Sequence, residues 1–170
     1  ENPFHSVISG HHYAGSGLEG SAVEQLDMVV LSALEIDTDF NVNVLTGSDG
    51  VIRGAIGGHP DTASGAKMTI VVAPLMRGRI PTILDRVNTI VTPGSTVDAF
   101  VTEYGLAINP LRRDLMERLT AAGIEVNTIE ELQKMAEGIV GKPRAIGYEE
   151  KIVGLVYYRD SSVIDVIRQV

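Results

Sequence analysis

The sequence predicts an α/β fold, an open mixed β-sheet sandwiched by helices. Apolar runs of strand length recur between residues 28 and 102, helix-period stripes follow residue 110, and a pair of strands closes the chain. Residues 1–25 are rich in His, Ser and Gly and sustain no apolar period, so they read as an irregular lead-in or interdomain linker. Residues 28–34 form an apolar run suited to a strand covered on both faces, and it ends abruptly at Glu35-Ile36-Asp37. Residues 40–45 alternate as a strand does, and Thr46-Gly47-Ser48-Asp49-Gly50 reads as a turn. A helix is expected to begin within 62–67, and the second apolar strand, 68–73, stops at Pro74. Two further strands are expected at 88–91 and 97–102, joined by a tight turn at Thr92-Pro93-Gly94-Ser95. Leu111, Leu115, Met116 and Leu119 then fall on one stripe of a helix that Gly123 closes. Thr128 and Glu131 have capping-box spacing for a helix running to about Gly138, with Leu132, Met135 and Ala136 facing inward. Residues 151–158 and 163–170 read as a hairpin around Arg159-Asp160-Ser161-Ser162.

Lys and Arg number 14 against 22 Asp and Glu, a formal charge of −8, which argues against a general nucleic-acid or anionic-membrane binder. The absence of Cys excludes disulfides, zinc-thiolate sites, iron–sulfur clusters and thiol catalysis, and it fits a reducing, cytoplasmic setting. The apolar stretch Ile70-Val71-Val72-Ala73-Pro74-Leu75-Met76 is far shorter than the roughly 18 residues of a membrane span, so a soluble chain is expected. The first residues carry no initiator Met, basic region or apolar signal core, and a fragment of a longer product is expected.

Glu35 is the first candidate for chemistry, because open α/β sheets place their ligand crevice at the carboxyl ends of strands. A glutamate there can serve as nucleophile, general base or proton donor; a solvated loop acid is the ordinary alternative. Gly57-Gly58, with His59 and Asp61 beside them, can bring backbone N–H groups close to a phosphate or oxyanion, although the spacing matches neither phosphate-loop fingerprint and a Gly pair is commonly just a turn. Arg77 and Arg79, with Lys67, form a basic cluster suited to carboxylate or phosphate, or simply to water. Arg112, Arg113 and Arg118 read as the wet face of a helix. His5, His11 and His12 lie in the lead-in without a spacing that places two ligands on one helix face, so no metal site is expected.

Taken together, the strings Leu31-Ser32-Ala33-Leu34-Glu35-Ile36-Asp37-Thr38-Asp39-Phe40, Gly57-Gly58-His59-Pro60-Asp61-Thr62-Ala63, Val72-Ala73-Pro74-Leu75-Met76-Arg77-Gly78-Arg79 and Tyr158-Arg159-Asp160-Ser161-Ser162-Val163-Ile164-Asp165 resemble the α subunits of bacterial citrate lyase. The resemblance covers essentially all 170 residues and implies the C-terminal, coenzyme A transferase-like domain of a longer subunit. It implies a citrate CoA-transferase acting on acyl carrier protein, which exchanges acetyl for citrate on a coenzyme A-like thioester. The substrate is then a coenzyme A thioester or the coenzyme-like prosthetic group of the carrier protein, with no tightly bound cofactor. The implied partners are the N-terminal domain of the same subunit, the lyase β subunit and the acyl carrier protein (γ) subunit. By the same resemblance Glu35 is catalytic, as nucleophile, base or electrostatic group, with Asn41 and Asn43 beyond it and Gly57 and Gly58 helping to hold the thioester oxygen; His59, Asp61, Arg77 and Arg79 are further candidates for substrate binding. Two other functions are compatible with the same residues: a sugar-phosphate isomerase-like enzyme, and a non-catalytic docking domain for the carrier protein or lyase subunit.

Overall fold

The computed structural model describes residues 2–15 and 20–170. In chain order, α1 (Gly10–Ala14) and a 3-10 turn (Ala22–Gln25) precede β1 (Val29–Ser32), β2 (Glu35–Asp37), β3 (Val42–Asn43), α2 (His59–Gly65) and β4 (Thr69–Val72). The short strands β5 (Met76–Arg77), β6 (Ile80–Pro81) and β7 (Ile83–Leu84) follow, then a 3-10 turn at Gly94–Thr96. The chain ends with β8 (Ala99–Thr102), β9 (Gly105–Ile108), α3 (Arg113–Ala121), α4 (Ile129–Val140), β10 (Ile152–Tyr157) and β11 (Val163–Arg168).

The apolar runs become the main sheet, ordered β1-β4-β8-β9, with β1, β4 and β8 parallel and β9 antiparallel. A smaller sheet, β3-β2-β7, joins an antiparallel and a parallel pair. The expected mixed α/β architecture is therefore present. Val71 and Phe100 of the main sheet, Ile36 and Ile83 of the smaller one, and Ile129, Leu132 and Ala136 of α4 form one buried core. Leu115 of α3 packs with Ala99 and Ile108 in a second cluster, beside Met116 and Leu119. Among the described residues no helix is long and apolar enough to cross a membrane.

The capping box forms as the sequence predicts, with the Glu131 N–H donating to Thr128 and the Thr128 N–H to Glu131. The helix passes Gly138 and stops at Gly141, whose φ of 81° an L-residue adopts only with strain. Met135 is exposed rather than inward; Gln133 takes the buried position and donates to the Asp85 carboxylate at 2.8 Å. Leu111 is also exposed, because α3 begins two residues later. Arg112 caps that helix by position and pairs with Asp114 and Asp98, whose carboxylates hold its guanidinium well above the usual pKa range.

Segment 88–91 is not a strand: the Asn88 and Ile90 N–H groups go to the Glu35 and Asp165 side chains, and the Val91 N–H meets the Val42 carbonyl beside an isolated Val42–Thr92 bridge. The strand expected at 40–45 shrinks to Val42–Asn43 for a related reason. Phe40 turns left-handed at φ 64°, and the Asn43 side-chain oxygen accepts from the Leu45 and Thr46 N–H groups, bending the chain away. Strand β9, the β5–β6 hairpin and the short helix in the lead-in carry no strong periodic signal, and the helix expected within 62–67 begins earlier, at His59.

A Cβ at Gly94 would lie 1.8 Å from the Asp39 carbonyl oxygen, whereas one at Gly138 meets nothing within 4 Å. Gly94→Ala is expected to destabilise the protein by about 1–3 kcal/mol through forced backbone movement. Gly138→Ala, inside α4, is expected to stabilise it by about 1 kcal/mol. Urea unfolding midpoints check both signs.

Candidate functional site

Strand β2 is buried along its whole length, and the alternation of side chains sends Ile36 into the core while Glu35 and Asp37 share the opposite face. Glu35 is 1% exposed. It sits directly across from Asn43 in the antiparallel register, so the Asn43 amide donates to Oε2 at 2.8 Å. Asn88, brought in from the segment after β7, donates to Oε2 through its backbone N–H at 3.1 Å and to Oε1 through Nδ2 at 2.7 Å. A carboxylate offers about four lone-pair sites, and these three N–H donors leave one on Oε1.

Glu35 and Asn88 form part of the wall of a cavity of about 920 Å³. Arg79 and Arg86 line it, together with Lys142 and Arg144 from the irregular segment after α4. Tyr148 borders an adjoining cavity of about 260 Å³ that shares Arg86 and Asn88. Burial, then the negative charges of Glu35 and Asp165, push its phenol up in pKa. Burial also pushes the Asp37 carboxyl up, against N–H donors from Val87, Asn41 and Asp39 that favour its charged form.

Of the residues the sequence singles out, the structure gathers Glu35, Asn43 and Arg79 at this cavity or against its wall. Asn41 is engaged elsewhere: its amide donates to Asp37 and its oxygen accepts from the Gly94 N–H at 2.9 Å. Gly57, at φ 54°, and Gly58 lie in a loop whose neighbours Ile56 and His59 line a separate concavity of about 350 Å³. His59 bridges the Thr92 hydroxyl (2.6 Å) and the Ser32 carbonyl (2.9 Å), and Asp61 faces Arg159 at 3.8 Å. Arg77 does not line the Glu35 cavity, and its Nε and one Nη are buried without a hydrogen-bond partner among the described residues. Lys67 pairs with Asp27 at 2.6 Å, apart from both arginines in the predicted cluster. Asn88, Arg86, Lys142 and Arg144 escape a reading of the sequence. Asn88 is separated from Glu35 by 53 positions, and no local spacing marks it.

Burial lowers the His59 pKa from 6.5, despite the Ser32 carbonyl that favours its charged form. The folded protein therefore binds this proton less readily than the unfolded chain. Stability is expected to be full above the unfolded value of about 6.5 and to fall as pH drops below it. His59→Gln should flatten that fall. Thermal melts from pH 7.5 to 5.5 check it; an identical slope in both proteins removes His59 as the cause.

Residues 1–170 match the model of the family described as citrate lyase, alpha subunit. The chain is 58% identical over 170 residues to the citrate lyase alpha chain of Klebsiella pneumoniae, covering all of this chain and 34% of that protein. It is 57% identical over 169 residues to that of Escherichia coli K12, covering 99% and 33%. A solved structure from Streptococcus mutans, described as the alpha subunit of citrate lyase in complex with citrate, superposes with a TM-score of 0.96 at 57% identity, covering 99% of this chain and 33% of that one. The chain thus spans about a third of the length of these relatives, and the matches do not bear out a placement at the carboxyl end of a longer subunit. With a matching family model over its whole length, the chain belongs to the citrate lyase alpha subunit family.

Proposed function

We propose that this chain supplies a substrate-binding and catalytic wall of a citrate CoA-transferase, which exchanges acetyl for citrate on a coenzyme A-like thioester to give the citryl thioester and acetate. The observation that carries the reading is the Glu35 carboxylate, buried and held by three N–H donors, yet open to a large cavity ringed by Arg79, Arg86, Lys142 and Arg144. Membership of the citrate lyase alpha subunit family supports the reaction class, and the citrate bound to the Streptococcus mutans relative supports the acid.

The chemistry follows from charge. A tricarboxylate enters a chain of net charge −8 only where cations offset the repulsion locally, and guanidinium forks match carboxylates in shape as well as sign. Glu35, with one lone-pair site left, acts on the thioester carbonyl or on the incoming acid, and Asn43 and Asn88 hold it in place. In the exchange, the acetyl carbon–sulfur bond breaks as acetyl passes to a citrate carboxylate oxygen, and the freed thiolate then attacks the citryl carbonyl of that anhydride, expelling acetate and forming the citryl thioester. The proposed substrates are a coenzyme A thioester and the prosthetic group of an acyl carrier protein. The proposed partners are the rest of the subunit, the lyase β subunit and the carrier protein.

In the complete subunit, Glu35→Gln is expected to lower acetyl–citrate exchange by about 100-fold or more. Citrate binding by calorimetry and the far-ultraviolet dichroism should be retained. Near-normal exchange in the variant removes Glu35 from the reaction.

A further inference from the structure

We infer that Arg86 is the side chain that selects a polycarboxylate over acetate at this site, an inference that rests on the function proposed above. The argument begins with segment 85–90, which is irregular but tied down at nearly every residue. Gln133 donates to the Asp85 carboxylate at 2.8 Å, the Val87 N–H donates to Asp37 at 3.2 Å, Asn88 holds Glu35, and the Ile90 N–H donates to Asp165 at 2.8 Å. Arg86 projects from this anchored run. Its position is therefore set by the same contacts that set Glu35, two residues away from the Asn88 that carries the carboxylate.

The guanidinium itself is only loosely engaged. Its side chain is 65% exposed, and its contacts with the two Asp165 oxygens, at 3.4 and 3.5 Å, are long for a charged pair. Asp165 has shorter partners in the Ile90 and Val166 N–H groups, both at 2.8 Å, so it stays satisfied when Arg86 leaves. Arg86 lines both the Glu35 cavity and the smaller cavity beside Asp165, the geometry of a cation that can turn from a resting acid to a ligand acid. Lys142 and Arg144 face the same cavity from a loop outside this network, and Arg79 follows Gly78 in the β5–β6 turn.

The proposed exchange needs such a group. Acetate and citrate both present a carboxylate to the reacting carbonyl, so they differ only in the remote carboxylates and hydroxyl of citrate. A preplaced guanidinium near Glu35 reads a remote carboxylate and gains nothing from acetate. Transfer of the ion pair from Asp165 to the ligand makes citrate binding depend on Arg86, while acetate exchange does not.

The test uses the complete subunit and two reactions: citrate-dependent exchange, and exchange of labelled acetate into acetyl-coenzyme A. Arg86→Gln is expected to raise the KM for citrate about 10- to 150-fold, the range of one hydrogen bond to a charged group. The KM for acetate and the kcat of acetate exchange should stay as in the wild type. Asp165→Asn keeps an acceptor for the Ile90 N–H but weakens the resting ion pair, and it is expected to leave the citrate KM unchanged or lower. If Asp165→Asn raises the citrate KM as Arg86→Gln does, Arg86 acts only by tethering β11, and the inference is overturned. It is equally overturned if Arg86→Gln shifts citrate and acetate alike, or shifts neither, in a subunit whose wild type performs both reactions. A wild type that catalyses neither exchange nor binds citrate overturns the proposed function, and this inference with it.

Discussion

A buried carboxylate organises the site. Removing an ionised side chain from water costs several kcal/mol unless hydrogen-bond donors replace the water it loses. Glu35 meets that requirement with Asn43 from β3 and with the side chain and backbone of Asn88, so its burial draws two separate segments onto β2. Asp37, two residues on and on the same face of the strand, repeats the device with the Val87 and Asn41 N–H groups. Between them Ile36 points the other way into the core. The period of a strand thus couples apolar packing on one side to a polar lattice on the other, and the cavity wall depends on both.

The same lattice explains why segment 85–90 stays irregular. A backbone N–H that donates to a carboxylate has none left for a neighbouring strand, and the donors of Val87, Asn88 and Ile90 are all used in this way. An irregular segment held at many points keeps a fixed shape without a ladder, which suits a surface that must present a side chain to a ligand. Asn43 plays both parts. It holds Glu35 with its amide and bends the following turn with its oxygen.

Electrostatics in the molecule are local. The chain is acidic as a whole, yet Arg79, Arg86, Lys142 and Arg144 converge on one cavity from three stretches of sequence. Other cations are neutralised by neighbours: Lys67 by Asp27, Arg53 by Asp49, and Arg112 by Asp98 and Asp114. Arg86 and Lys142 have acidic neighbours too, Asp165 at 3.4 Å and Glu137 at 3.8 Å, and the cavity wall adds Glu35 and Asp85.

Elements defined by local physics were legible in the sequence. The Thr128–Glu131 capping box, the apolar strands of the main sheet and the closing hairpin all rest on neighbours a few residues apart, and each is present in the structure. Features that depend on where distant segments meet were not. The strand expected at 88–91 gives way to contacts with Glu35 and Asp165, which lie 53 and 75 positions away from their partners. The Gly57-Gly58 loop borders a different concavity from Glu35, and His59 is engaged by Ser32 and Thr92. By itself the sequence determined the fold class and the acid at the end of the first apolar run, because periodicity and capping act within a few residues. Tertiary structure alone decided which amides hold that acid and which cations face it, because those partners are distant in the chain and become neighbours only when the sheets pack.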